Sequence, residues 1–211
     1  MLENQRIVFM GTPLFAAHIL QYLVENKVNI VACVTAPDRP AGRGQQIKQS
    51  DVKKVALGFE IPVLQPEKLS DVEFQQELIH LNADIFVVVA FRMLPKAVWQ
   101  IPKNGTFNLH ASLLPAYRGA APIHWSIING EKETGLTTFL IDEDIDTGAI
   151  ILQEKMEIGA NETVGELHDR MMLKGGPLIL QTIEKLASGQ VSLMRQESAN
   201  RPVSYAPKLN K

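Results

Sequence analysis

The chain has 211 residues, 45% hydrophobic and 21% charged, with a formal net charge of −2. This is ordinary for a globular protein, argues against a uniformly basic nucleic-acid binder and leaves room for a local basic patch. The length suits one large domain or two small ones and can bury a core without covalent staples. The single cysteine, Cys33, permits no intramolecular disulfide, which fits a reducing cytoplasm. Within Val31-Ala32-Cys33-Val34 it reads as a small core residue rather than a nucleophile. Met1–Arg6 has no basic region leading into a long apolar one, so no signal peptide is expected. The longest apolar run, near Ile85–Phe91, is far short of a membrane span.

In chain order, Arg6–Met10 is a short apolar strand ending at Gly11-Thr12-Pro13. Pro13 suits a first helical turn, and Leu14–Val24 has helical apolar spacing. Asn29–Thr35 is a second strand. Ala36–Ser50, with early glycines and prolines followed by polar and basic residues, reads as a long loop. Asp51–Phe59 is helical, Ile61–Leu64 a short strand and Asp71–Leu81 a helix. Ala83–Ala90 and Thr106–His110 are further β-prone runs. Continuous apolar runs alternating with helices predict an α/β fold, with a mostly parallel, Rossmann-like sheet covered by helices on both faces. Right-handed crossovers then collect the loops after the strands along one edge. Beyond this, Pro122–Asn129 is a helix closed by Gly130. Gly135–Asp142 and Ala149–Glu157 are antiparallel strands joined by Glu143–Gly148. Glu162–Leu186 is one long helix or two, kinked or restarted at Gly175-Gly176-Pro177. The tail from Val191 is polar, with a short Val203–Ala206 segment.

Gly11-Thr12-Pro13 sits where a dinucleotide-binding fold carries G-x-G-x-x-G, but only one of those glycines is present, so NAD binding is rejected. A structural turn and a weak anion site both remain open there. Asn108 and His110, two apart on a strand, share one face at its C-terminal end, where α/β sheets place ligands. Either residue alone reads first as a hydrogen-bonded strand end. In Leu113–Pro122, two prolines and a glycine impose a fixed path; the loop is architectural, or it presents Tyr117 and Arg118 as donors. Asp142, Asp144 and Asp146 alternate as in part of a calcium loop, but the required glycine and distal glutamate are missing. They read as charged turn residues, or as one aspartate supporting a histidine. The histidines, His18, His80, His110, His124 and His168, form no i, i+4 pair, so no metal site is expected. No G-x-S-x-G elbow or Walker loop is present.

Asn108-x-His110, then Ser112-Leu113-Leu114-Pro115-x-Tyr117-Arg118-Gly119, then Asp146-Thr147-Gly148, together resemble the folate-dependent formyltransferase family in order and spacing. The resemblance runs from about Arg6 to Tyr205. Pro37–Gly44 is similar to the loop inserted in the branch that formylates charged initiator tRNA, as are Gly11-Thr12-Pro13 and Gly119–Ile123. The resemblance implies transfer of the formyl group of 10-formyltetrahydrofolate to the α-amine of methionyl initiator tRNA. Asn108, His110 and Asp146 are the implied catalytic residues. Asn108 would donate to the tetrahedral oxyanion. His110 would donate to it or take the amine proton. Asp146 would orient His110, through an ordered water or directly.

The resemblance also implies folate contacts by Phe91, Arg92, Met93 and Leu94, by Ser112, Leu113, Leu114 and Pro115, and by Ile141, Asp142 and Asp144. Phe91–Pro95 departs from several relatives, which carry an aromatic-glycine pair and one more residue; Arg92 faces the folate tail or solvent. Arg39, Arg43 and Lys48, with Lys53 and Lys54, would reach the tRNA acceptor end from a loop that is mobile when free and orders on RNA. The expected organisation is a catalytic domain over 1–206 and the start of a linker over 207–211 to an absent C-terminal domain. A truncated or minimal form, with weakened tRNA binding and an intact folate site, would follow. A monomer in the cytoplasm is expected, with no metal. The alternatives are formylation of an amino sugar nucleotide, hydrolysis of 10-formyltetrahydrofolate, and an idle folate- or RNA-binding module.

Overall fold

The computed structural model of the protein describes residues 4–41, 46–199 and 201–209. The chain divides into two compact units, Met1–Thr106 and Phe107–Lys211. The fold class is α/β and Rossmann-like, with a mostly parallel sheet.

In the first unit, strands β1 (Ile7–Gly11), β2 (Ile30–Val34), β5 (Val63–Leu64) and β6 (Ile85–Val89) lie in the order β5-β2-β1-β6, all parallel. Every residue of β1 and β6 is buried, and the two run in register from Ile7↔Ile85 to Gly11↔Val89. Burial on both faces is why these strands are continuous apolar runs rather than alternating ones. Helices α1 (Leu14–Glu25), α2 (Asp51–Gly58), α3 (Val72–His80) and α4 (Lys96–Trp99) follow β1, β2, β5 and β6 in the chain. Pro13 stands at the N-cap of α1, while Ser50 caps α2 by accepting from the Lys53 N–H. Both helices start where the sequence reading begins them, at Leu14 and Asp51; the short α4 has no counterpart among the predicted elements. Burial pushes the Cys33 thiol up to about 12, so at neutral pH it is a protonated core group.

The predicted loop 36–50 is corrected. It contains an antiparallel pair, β3 (Arg39–Ala41) and β4 (Gln46–Lys48), with Arg39 opposite Lys48 and Pro40 opposite Ile47. Two strands of three residues carry too little periodicity to be recognised in sequence. Before the hairpin, Asp38 accepts from Lys53 Nζ at 2.5 Å and from Gln65 Nε2 at 2.8 Å, and Lys53 also donates to Gln65 Oε1 at 2.7 Å. Lys53 is thus spent on the protein itself, and its predicted role on tRNA is withdrawn.

The bond from Lys53, and then that from Gln65, hold the Asp38 carboxyl below its ordinary range. The unfolded chain therefore takes up this proton at higher pH than the folded chain does. The stabilisation is present above the ordinary carboxylate range and is lost as pH falls through the lower folded value. Lys53→Met should depress the melting temperature most near neutrality, and its gap from the parent should narrow toward about pH 3. Melts across that range check this; a gap that widens on acidification contradicts it.

In the second unit, which begins at the second residue of β7 (Thr106–His110), the strands β7, β8 (Glu133–Leu140) and β9 (Ile150–Glu157) are ordered β7-β8-β9 and antiparallel, as predicted for the last two. Leu114, Phe139 and Ile150 form a buried cluster. Helix α5 (Pro122–Ile128) has Pro122 in its first turn, where a missing N–H costs nothing. Helix α6 (Val164–Ser188) starts at a Thr163/Glu166 capping box and ends at Gly189 in the left-handed region. Of the two readings, one helix or two, the first holds: α6 is one 25-residue helix that runs through Pro177 without a restart. Its buried face, including Gly175, Gly176, Leu178, Ile179 and Thr182, packs against β8, with Thr182 bonded to Thr138 at 2.9 Å. That burial outweighs the single hydrogen bond a proline removes. A 3₁₀ turn at Gln196–Ser198 was not predicted. Among the described residues no helix is long and apolar enough to cross a membrane.

Candidate active site

Strand β7 ends on Asn108-Leu109-His110. Alternation puts Asn108 and His110 on the same face, opposite Phe139 and Thr137 of β8. Asn108 is half-buried and His110 is 6% exposed. The His110 ring stands edge-on to Phe139, with centroids 6.5 Å apart. Its Nε2 lies 2.8 Å from the Tyr117 carbonyl oxygen. A carbonyl can only accept, so Nε2 carries the hydrogen in this contact, and the neutral ring keeps its lone pair on Nδ1.

Nδ1 faces Asp146 Oδ2 at 3.7 Å, beyond a hydrogen bond but within ion-pair reach, and the carboxylate is 14% exposed. The structure thus selects one of the three alternating aspartates. Two contacts set its position: Oδ2 accepts from the Gly119 N–H at 2.8 Å, and the Asp146 carbonyl accepts from Gln196 Nε2 at 2.9 Å. Asp146 has φ 56 and Gly119 φ 119, so both turns use the left-handed region, which aspartate tolerates and glycine favours.

The path of Ser112–Ala121 is set by internal bonds and includes a cis Leu114–Pro115 peptide. Thr137 Oγ1 donates to the Ser112 carbonyl at 2.7 Å and accepts from the Leu114 N–H at 3.1 Å. Gln153 Nε2 donates to the Leu114 carbonyl at 2.9 Å. The Tyr117 hydroxyl donates to Glu131 and accepts from Asn129. Burial, and then the bond to Glu131, raise the Tyr117 hydroxyl above its ordinary value. Arg118 gives Nε and Nη2 to Gln196 Oε1 at 3.1 and 2.6 Å. The tail closes over the loop, with Arg118 N–H donating to the Ser204 carbonyl at 2.9 Å and Ala206 N–H to the Arg118 carbonyl at 2.7 Å. Of the two open readings of this loop, the architectural one fits: both Tyr117 and Arg118 side chains are bonded internally, and Tyr117 serves His110 through its carbonyl.

The other predicted site residues differ in exposure. Ser112, Leu113, Leu114 and Pro115 are buried. Ile141 is half-buried, Asp142 and Asp144 are exposed, and Asp142 accepts from the Thr147 hydroxyl at 2.7 Å. In the first unit, Phe91 is half-buried, Met93 exposed and Leu94 buried. The terminal nitrogens of the half-buried Arg92 bond the Pro66 and Glu67 carbonyls at 2.8 and 3.0 Å. Its guanidinium lies 5.4 Å from the Phe91 ring centroid. Arg39 is 3.7 Å from Glu67 with both side chains exposed, a pair worth little in water, and Lys48 is exposed. Arg43 lies outside the described residues.

Gln196, Thr137, Gln153 and the Gly119 N–H were missed from sequence. Each meets its partner across a long stretch of chain, so no local spacing signals them.

Comparison with known proteins shows the family. The formyl transferase family profile matches residues 5–183. The chain is 53% identical over 210 residues to a methionyl-tRNA formyltransferase of Flavobacterium johnsoniae, covering 100% of this chain and 66% of that protein. It is 56% identical to the methionyl-tRNA formyltransferase of Flavobacterium psychrophilum, over 92% of this chain and 62% of the relative. The chain therefore spans slightly less than two thirds of the length of these relatives. An N-formyltransferase from Helicobacter canadensis, solved with folinic acid and dTDP-3-aminofucose, superposes with a TM-score of 0.72 at 26% identity, covering 97% of this chain and 71% of that one. The family profile spans most of the chain, including the Asn108, His110 and Asp146 arrangement, and the chain belongs to the formyl transferase family.

Proposed function

We propose that the protein transfers the formyl group of 10-formyltetrahydrofolate to the α-amine of methionyl initiator tRNA, as a cytoplasmic monomer with residues 1–206 as the catalytic domain. The observation that carries the chemistry is the His110 ring held by the Tyr117 carbonyl at Nε2, with the Asp146 carboxylate 3.7 Å from Nδ1. The amine nitrogen attacks the formyl carbon, and the carbonyl electrons move onto oxygen. Asn108 donates an amide N–H to that oxyanion. The attacking nitrogen gives up a proton to His110 Nδ1, which turns a lone pair facing a carboxylate into an ion pair with Asp146. The collapsing intermediate expels the folate nitrogen, which takes back a proton, leaving tetrahydrofolate and the formylated amine.

For folate contact we assign Ile141, Asp142 and Asp144, which have surface to offer. Phe91, Arg92, Met93, Leu94 and Ser112–Pro115 remain folate candidates through the family resemblance. Arg39, Arg43 and Lys48 are the proposed tRNA phosphate contacts. The two Flavobacterium relatives, at 53% and 56% identity, favour tRNA as acceptor over an amino sugar nucleotide, the acceptor suggested by the solved structure at 26%.

The test supplies labelled 10-formyltetrahydrofolate with methionyl initiator tRNA, with an amino sugar nucleotide, or with no acceptor. Label on the tRNA supports the proposal; label on the sugar, or formate released without acceptor, replaces it. Arg43→Ala should raise the KM for tRNA severalfold and leave folate binding unchanged. Equal losses in both would remove the tRNA role of this loop.

A further inference from the structure

Gln196 lies about fifty residues beyond the Asp146 turn in sequence, yet its side chain is 2% exposed and fully engaged there. Its amide nitrogen donates to the Asp146 carbonyl and to the Gly148 carbonyl, each at 2.9 Å, spanning Thr147. Its amide oxygen accepts from Arg118 Nε and Nη2. An amide is the one neutral side-chain group that donates twice and accepts twice, and here each capacity is used.

These bonds join the two loops that define the His110 environment. The loop through Arg118 supplies the Tyr117 carbonyl to His110 Nε2 and the Gly119 N–H to Asp146 Oδ2. The loop through Asp146 supplies the carboxylate, from a residue with φ 56. A non-glycine residue in the left-handed region persists only where its surroundings hold it. Gln196 grips that residue's own carbonyl and the next but one.

Resting on the formyl-transfer reading, we propose that Gln196 is a positioning residue: its amide clamps the Asp146–Gly148 backbone and so sets the Asp146 carboxylate against His110 Nδ1. It touches neither reactant. Its influence on rate passes through Asp146 alone.

The test compares the whole chain with Gln196→Met and Gln196→Glu, each also combined with Asp146→Ala. Gln196→Met removes both arms. Gln196→Glu retains a partner for Arg118 but turns two donors into acceptors facing two carbonyls. Both single variants should lower kcat by about 10- to 100-fold, by analogy with the outer partners that orient metal ligands, with the KM for 10-formyltetrahydrofolate nearly unchanged. Neither should lower kcat further once Asp146 is alanine, because coupled residues are non-additive.

Parent-like kcat in Gln196→Glu would overturn the proposal, since the arm to Arg118 alone would then suffice. So would equal fold-losses with and without the Asp146 side chain. Should Gln196→Met fail to fold, Gln196→Glu carries the same comparison. A parent chain that transfers no formyl group would defeat the proposed function, not this inference, which is then read from structure. Crystal structures and the His110 ring-proton chemical shift at one fixed pH should show the carboxylate displaced in Gln196→Glu. An unchanged Asp146–His110 geometry there would overturn it.

Discussion

His110→Ala is expected to lower the rate of formyl transfer by about 10²–10⁴-fold, the range for loss of a positioned general base. The loss should appear in kcat, because the ring is 6% exposed and offers little surface for binding either reactant. Asn108→Ala should lower kcat by about 10²–10³-fold, as for removal of one oxyanion donor. The two effects should not add, since both act on one tetrahedral intermediate. Single-turnover kinetics with saturating 10-formyltetrahydrofolate measure these losses directly. A His110→Ala enzyme within about threefold of the parent would place the proton acceptor elsewhere.

Gly148→Ala is expected to cost both stability and activity. A Cβ there would stand 1.7 Å from the Leu140 carbonyl oxygen and 2.9 Å from its carbonyl carbon. Both are backbone atoms of the strand pair, beside the Leu140 N–H bond to Ala149. No rotamer relieves such a contact, so the connection between β8 and β9 must open. Overpacking typically costs about 1–3 kcal/mol, and a clash against backbone belongs at or above the top of that range. For a chain of this size the melting temperature should fall by about 6–12 °C. The Gly148 carbonyl is also a Gln196 acceptor, so Asp146 shifts with the turn and kcat falls too. Gly58→Ala is the control: a Cβ there meets nothing within 4 Å, and the substitution should be neutral or slightly stabilising. A Gly148→Ala protein that melts with the parent would refute the described path of this turn.

Much of the fold is legible in the chain because burial on both faces demands continuous apolar strands, and these alternate with capped, amphipathic helices. β1, β2, β6 and β7 were all readable in this way. What escaped has a common physical cause. The Arg39–Ala41 and Gln46–Lys48 strands are too short to show periodicity and exist through pairing with each other. Pro177 reads locally as a break, but the buried face of α6 overrides it. Lys53 reads as a solvent-facing cation, but Asp38 and Gln65 capture it.

For the site, sequence alone determined that Asn108 and His110 share a strand face, since a period of two requires it. It left Asp142, Asp144 and Asp146 equivalent, and only the family spacing favoured the last. Tertiary structure decided among them, because only Asp146 turns through the left-handed region to meet the Gly119 N–H and face His110 Nδ1. It also decided the His110 tautomer, through the Tyr117 carbonyl, and brought in Gln196 from a polar tail without a pattern. Each of these contacts pairs a side chain with a backbone carbonyl or N–H, a group that nearly every residue carries, so the sequence does not show which partner is chosen.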